Sequence, residues 1–429
     1  MISRILLAGL FVGTCLHAEA VKDREGAVRQ DKAKLESSDR WNYNDVDGAF
    51  AEAKKSGKPV MLVLRCVPCL ACMGLDTGVL TEGEAMKTML DQFVCVRLIN
   101  ANAIDLTKFQ FDYDLSYGVI FLNADGTTYG RYGSWKHQKN SQESATEGLT
   151  KAMKAALELH RGYPTNKAAL AGKQPGATPF TKPVEIPELA QRYTPALDWE
   201  GKVTASCVHC HMIGSALQSW HRQQRKPMPE NLIYPFPEPE TIGLTLASEE
   251  VAKVVSVAPE SITAKAGLKA GDELVSFAGQ PLISIADISY ALHHTSDAAT
   301  IECVVKRGAS DEKVTLNLPQ GWRRKSQVTE RATIWPERGM VLGGMRLEPA
   351  EGQGMGFKVK GVGKYGIHAA AMKAGIKEGD VVISIDGLNS PISEGELIGH
   401  LMQSHAVGDR VKIVVRRGEE QKEFMLPMQ

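Results

Sequence analysis

Between residues 41 and 160 the apolar positions alternate between the 3.6-residue spacing of a helix and the unbroken runs of a strand buried on both faces. Asn44 to Ser56 has helical spacing, Lys58-Pro59-Val-Met-Leu-Val-Leu64 is a buried-strand run, and Met73 to Gln92 is helical again. Phe93 to Ile99 and Gly118 to Leu122 predict two more strands, Asp125-Gly126 a hairpin turn, and Ser141 to His160 a closing helix. The alternation predicts a layered α/β domain over 41–160. Residues 161–185 lose the periodicity and, rich in Gly, Pro, Lys and Ala, read as a linker. From 186 to 239 a helical stretch, Ile213 to Arg225, is followed by prolines at 227, 229, 235, 237 and 239 that predict an extended wrap.

Beyond 240 the pattern repeats. Ala264-Lys-Ala-Gly-Leu-Lys-Ala-Gly-Asp272 recurs as Met372-Lys-Ala-Gly-Ile-Lys-Glu-Gly-Asp380, and Gly271 and Gly279 each find a counterpart 108 residues on, at Gly379 and Gly387. Each copy continues into Val/Ile-rich strands, a helix (Ser284 to His294; Ser393 to Gln403) and a charged hairpin at Arg307-Gly308 or Arg417-Gly418. Two α+β units are therefore expected, over 240–318 and 340–427. The whole is a multidomain α/β plus α+β chain.

Fifty basic and fifty acidic residues cancel, so bulk charge offers nothing to nucleic acid or an anionic membrane. Met1 to Arg4 carries a positive charge, Ile5 to Leu16 is apolar, and Ala18-Glu19-Ala20 has the A-x-A form. This predicts a signal peptide over 1–20, cleaved after Ala20, and a periplasmic or secreted protein. Val12-Gly-Thr-Cys15 leaves a lipoprotein signal open. Twelve apolar positions fall short of the ~20 that span a bilayer, and no later stretch reads as a membrane anchor.

Seven of the eight cysteines follow that leader: Cys66, Cys69, Cys72, Cys95, Cys207, Cys210 and Cys303. An odd, clustered set points to reactive or ligating thiols more than to a disulfide framework. Cys95 and Cys303 lie within strand patterns and read as core. Cys207-Val-His-Cys210-His211 has the C-x-x-C-H form, in which two thiols add to the vinyl groups of a haem and the histidine ligates its iron. Haem c at Cys207, Cys210 and His211, with Met228 as sixth ligand, is the expected cofactor. Zinc on Cys207, Cys210, His211 and His221, or a redox dithiol, is the alternative. His209, between the cysteines, reads as solvent-facing or as support for a ligand.

The order lysine-proline, buried strand, Cys66-Val-Pro-Cys69-Leu-Ala-Cys72, helix resembles the thioredoxin-like proteins. That resemblance places Cys69 and Cys72 on the family's redox pair, Cys69 attacking and Cys72 resolving, with Cys66 an additional thiol on the incoming loop. A thiolate at a helix start is stabilised by the dipole and free amides. The family's cis-proline falls at Ser116 or Tyr117, where neither residue is proline. Likewise the A-G-L-K-x-G-D box resembles the PDZ domains of exported bacterial proteins. It implies strand addition of a peptide or protein C-terminus along Gly243, Leu244, Thr245 and Leu246 in the first copy and Gly344, Met345, Arg346 and Leu347 in the second. The complete order resembles an exported bacterial thioredoxin-like/PDZ family, some members of which are selenoproteins.

The expected function is an exported redox protein performing thiol–disulfide exchange or electron transfer, with the PDZ units binding partners and the redox partner unspecified. The alternative is a non-enzymatic PDZ scaffold with a degenerate thioredoxin-like domain and a structural metal. A protease is disfavoured because neither G-x-S-x-G nor H-E-x-x-H occurs.

Overall fold

A computed structural model describes residues 23–69, 73–80, 83–133, 146–350, 352 and 354–429. The leader segment 1–20 and Cys72 lie outside these. The first sheet has the order β1-β3-β2-β4-β5, built from β1 (Trp41–Tyr43), β2 (Val60–Arg65), β3 (Val94–Leu98), β4 (Tyr117–Leu122) and β5 (Thr128–Tyr132). β2 pairs in parallel with β3 and antiparallel with β4, and all residues of these three strands are buried, as their unbroken apolar runs require.

Both faces of that sheet are covered. On one, Met61, Val63, Cys95, Val119 and Phe121 pack against α3 (Met73–Leu80), α4 (Glu84–Leu90) and α5 (Glu147–Arg161). On the other, Leu62, Leu64, Val96 and Ile120 meet α2 (Val46–Ser56) and, unexpectedly, α6 (Cys210–Gln223), whose Ile213 and Ala216 are fully buried there. α1 (Arg24–Leu35) precedes the sheet, with Asp23 capping its first turn. The single helix expected over Met73 to Gln92 is two helices, the second opening at Gly83.

The segment 161–185 is not a free linker. Residues Lys167–Lys173 form 3-10 turns in which Leu170 and Lys173 are fully buried. Lys173 can be buried because its ammonium meets the carboxylate of Asp287 at 2.5 Å, in the first repeat unit. The segment 186–239 is not an independent module either. Its first half joins the core of the sheet, while Met228, Ile233 and Tyr234 join the core of the second repeat unit. The proline stretches are extended around a short helical turn, Glu230–Ile233.

The first repeat unit pairs β6 (Leu244–Leu246) with β7 (Val254–Val257) beside a sheet of order β11-β10-β8-β9, formed by β8 (Glu273–Phe277), β9 (Gln280–Pro281), β10 (Ala299–Arg307) and β11 (Ser310–Leu318). Helix α7 (Ile285–His294) starts at Ser284, whose hydroxyl caps it. The second unit is preceded by α8 (Ile334–Leu342). Its sheet runs β12 (Met345–Pro349), β13 (Phe357–Val362), β14 (Val381–Ile385), β15 (Arg410–Arg417), β16 (Glu420–Pro427), and α9 (Glu394–Ser404) begins with a Ser393/Glu396 capping box. α7 leans on the edge strand β5. A Cβ on Gly130 would meet Ile283 at 2.5 Å, so glycine is what lets the two domains close.

Candidate functional site

β2 ends at Arg65, a cation carried into the interior by a strand with no exposed position. Such a charge needs partners. Nε donates to Asp76 Oδ2 at 3.1 Å, and the remaining N–H groups donate to the carbonyls of Cys66 at 2.7 Å, Cys69 at 2.8 Å and Ser116 at 3.1 Å. Asp76 is held in turn by Arg97, and Arg97 by Asp31 at 2.6 Å. Burial works to raise the Asp76 carboxyl, but Arg97 and Arg65 overcome it and hold it below the usual range. This buried chain of charges staples the turn from Cys66 to Cys69, which is closed by a Cys69 N–H to Cys66 carbonyl bond of 3.0 Å. Ser116, at the position where the sequence lacks the cis-proline, accepts the Cys66 N–H at 2.9 Å.

Against this turn lies the C-x-x-C-H segment. Asn102 binds it three times: its amide oxygen accepts from Val208 N–H at 2.7 Å, and its amide nitrogen donates to the Ser206 and Thr194 carbonyls, both at 2.8 Å. His209 is thereby aimed at the loop, its Nδ1 3.2 Å from Cys66 Sγ. Burial lowers the imidazole, and nearby His211 and Arg24 add to this, so the neutral ring can accept from the thiol. Burial pushes the Cys66 thiol up to about 12, with Cys69 and Cys207 adding to the cost of charging it. Burial likewise pushes Cys207 up to about 11 and Cys210 well above its ordinary value. Cys66, Cys207 and Cys210 line one cavity of about 20 Å³ with Arg65, Val67 and Ile99, room for about one water.

Cys210 is buried, packed on the sheet with Val208 and Ile213, and its thiol faces no space the size of a porphyrin. Met228, expected as the sixth ligand, is buried among Ile233, Tyr234 and the core of the second repeat unit. These residues as arranged do not fit a haem. The zinc set is not gathered either. His211 is exposed on the first turn of α6, and His221 lies ten residues further along the same helix, ~15 Å by helical rise. His221 lines a different cavity, of about 400 Å³. Among the described residues no group of three or more His, Cys, Asp or Glu is placed to hold a metal ion. Sequence reasoning gave no such role to His209, Arg65 or Asn102. The signal for His209 was its position inside a C-x-x-C, but nothing local pointed it toward residue 66.

Cys95 and Cys303 are buried in their strands. In the repeat units, Leu244, Thr245 and Leu246 form β6, and Met345, Arg346 and Leu347 open β12, an edge strand of its sheet. Gly243 (φ 87°) takes the left-handed conformation that ends the preceding helical turn, and Gly344 (φ 82°) follows Gly343, the left-handed cap of α8. The Gly243 and Gly344 N–H groups donate inward, to Glu240 and Arg338 carbonyls at 2.9 and 2.8 Å. Those two donors are therefore engaged within the fold.

Comparison with known proteins agrees with this anatomy. Residues 41–124 match the thioredoxin-like family, and 253–307 and 346–428 each match the PDZ domain. Among curated relatives, a probable periplasmic serine protease do/HhoA-like protein of Haemophilus influenzae is 28% identical over 146 residues, 34% of this chain and 29% of its own length. A probable periplasmic serine endoprotease DegP-like protein of Halomonas elongata is 26% identical over 217 residues, 46% of this chain and 40% of its own. A serine protease Do-like HtrA of Lactobacillus helveticus is 30% identical over 154 residues, 34% of each chain. The chain thus spans between 29% and 40% of the length of these relatives.

Proposed function

Since the chain joins a thioredoxin-like domain to two PDZ domains, we propose that it is an exported thiol–disulfide redox protein whose PDZ domains bind peptide or protein partners. One observation carries the redox reading: the Cys66 thiol, on a turn locked by Arg65, meets a neutral imidazole at 3.2 Å. A sulfur held beside a proton acceptor can give up its proton as it attacks, although burial keeps the resting thiol protonated. Export is supported by the leader pattern and by the word periplasmic in the names of two relatives. In the described residues no helix is long and apolar enough to cross a membrane. For the PDZ domains, strand addition along β6 and β12 is the mode the fold offers.

The test is a redox titration of the full-length protein in glutathione buffers, with acid quench, isotope-coded alkylation and peptide mass spectrometry. Two of Cys66, Cys69 and Cys72 are expected to change state together in a two-electron transition, tenfold in the equilibrium ratio for about every 30 mV. Thiols that keep one state across the range would instead leave the scaffold reading.

A further inference from the structure

Resting on that redox reading, we infer that the Cys207/Cys210 pair is the built-in exchange partner of the Cys66/Cys69 turn, with a Cys66–Cys207 disulfide as the intermediate. Two C-x-x-C sequences 141 residues apart, from Cys66 to Cys207, converge on one small cavity lined by Cys66, Cys207 and Cys210. The approach is built in. Asn102 anchors the main chain on either side of Cys207, at Ser206 and Val208, and α6 is part of the sheet's own core. The segment is therefore held against the cysteine turn, joined through His209 to the thiol it faces.

The two sulfurs of the segment have different settings. Cys207 is half-buried, in extended backbone just past a short helical turn, where its sulfur can be approached. Cys210 is the first residue of the fourteen-residue helix α6, where free amides and the dipole favour a departing thiolate over what burial alone would allow. This assigns attack to Cys207 and departure to Cys210. With the segment oxidised and the turn reduced, the Cys66 proton passes to His209 Nδ1 as Cys66 sulfur attacks Cys207. The Cys66–Cys207 bond forms, the Cys207–Cys210 bond breaks with its electron pair on Cys210 sulfur, and His209 returns the proton to that sulfur. Cys69 then attacks Cys66, forming Cys66–Cys69 and breaking Cys66–Cys207, and its proton passes to Cys207. One disulfide is reduced to two thiols while two thiols become one disulfide, so electrons and protons balance within the chain. The exchange runs in either direction, and an external disulfide loads one pair.

The experiment uses the full chain exposed to oxidised glutathione, quenched in acid, digested without reduction and mapped by mass spectrometry. A Cys69→Ser/Cys72→Ser/Cys210→Ser variant lacks the thiols that would resolve a Cys66–Cys207 bond from either side, so the Cys66–Cys207 peptide should become its dominant linkage. Adding His209→Ala should slow formation of that linkage at least about tenfold, by loss of the proton acceptor, while the melting temperature stays unchanged. A wild-type chain that titrates with glutathione while the variant forms no Cys66–Cys207 link overturns the internal transfer and leaves the redox reading standing. If neither pair changes state, both fall.

Discussion

In the first PDZ domain the Arg307 guanidinium clasps Asp272 with bonds of 2.9 and 2.8 Å and reaches the Gly267 carbonyl. In the second, Arg417 clasps Asp380 at 2.7 and 2.8 Å and reaches Gly375. Each aspartate also accepts the N–H of a lysine three residues before it, Lys269 or Lys377, at 2.9 Å. Gly271 and Gly379 share a φ of 90°. The aspartate clasp is the same in both copies, apart from an added Arg307–Glu312 bond at the surface of the first, but the attachments to the rest of the chain differ. The first domain docks through Asp287 of α7, fully buried, which meets Lys173 and accepts the N–H groups of Arg131 and Ile283, both at 3.0 Å. The second docks through Glu337 of α8, bonded to Gln218 at 2.7 Å, through Tyr234, whose hydroxyl donates to the Gly395 carbonyl at 2.9 Å, and through an Arg338–Glu394 pair. In the first copy the buried carboxylate is itself paired with a cation, while in the second the buried Glu337 carboxyl is bonded to the Gln218 amide and the charged pair, Arg338–Glu394, is separate from it. The repeated lock belongs to the fold, while the docking chemistry belongs to each domain's place in the chain.

Removing the paired charge should break the comparison most severely. Asp287→Ala strands the Lys173 ammonium in the interior and frees two backbone donors, and is expected to cost ~3–5 kcal/mol in denaturant unfolding. A loss as small as that of a surface substitution would show that the domains are not held by this contact.

A pH series sharpens the comparison. Burial raises the Glu337 carboxyl from its ordinary 4.5 to about 8, with the Gln218 bond opposing the shift. The folded chain therefore holds a proton there that the unfolded chain releases. Its contribution is full below pH 4.5 and declines as pH rises through about 8, by at most ~1.4 kcal/mol per unit. Glu337→Gln keeps a neutral amide in the site and should flatten that slope, measured as unfolding midpoints between pH 5 and 8. An identical slope in the variant would place the dependence elsewhere.

The smallest effects are expected where the copies agree. Arg307→Ala and Arg417→Ala each remove a partly exposed guanidinium from an aspartate that keeps its backbone partner. Thermal melting should show slight and nearly equal losses. A marked inequality would mean that docking has changed one lock.

The same division governs what could be read along the chain. Strands β2, β3 and β4 were evident because continuous apolar runs have one economical burial, and the Ser284 and Ser393 helix starts because a serine hydroxyl at the cap satisfies a local N–H. The segment 161–185 misled because glycine and proline content describes backbone freedom and says nothing of Lys173 meeting an aspartate 114 residues away. At Cys207 to His211 the residue types were right for ligation. The decisive quantities were where Cys210 points and what surrounds Met228, and neither is a property of spacing.

By itself, then, the sequence determined the thioredoxin-like and PDZ units and the clustering of the cysteines, because periodicity, turn residues and the 108-residue repeat act over short range. Only tertiary structure decided that α6 completes the core of the first sheet, that the chain before each PDZ domain is packed rather than loose, and that His209 faces Cys66. Such contacts form where buried polar groups must find partners. Which partner is within reach depends on the packing of distant elements, and no local pattern carries that information.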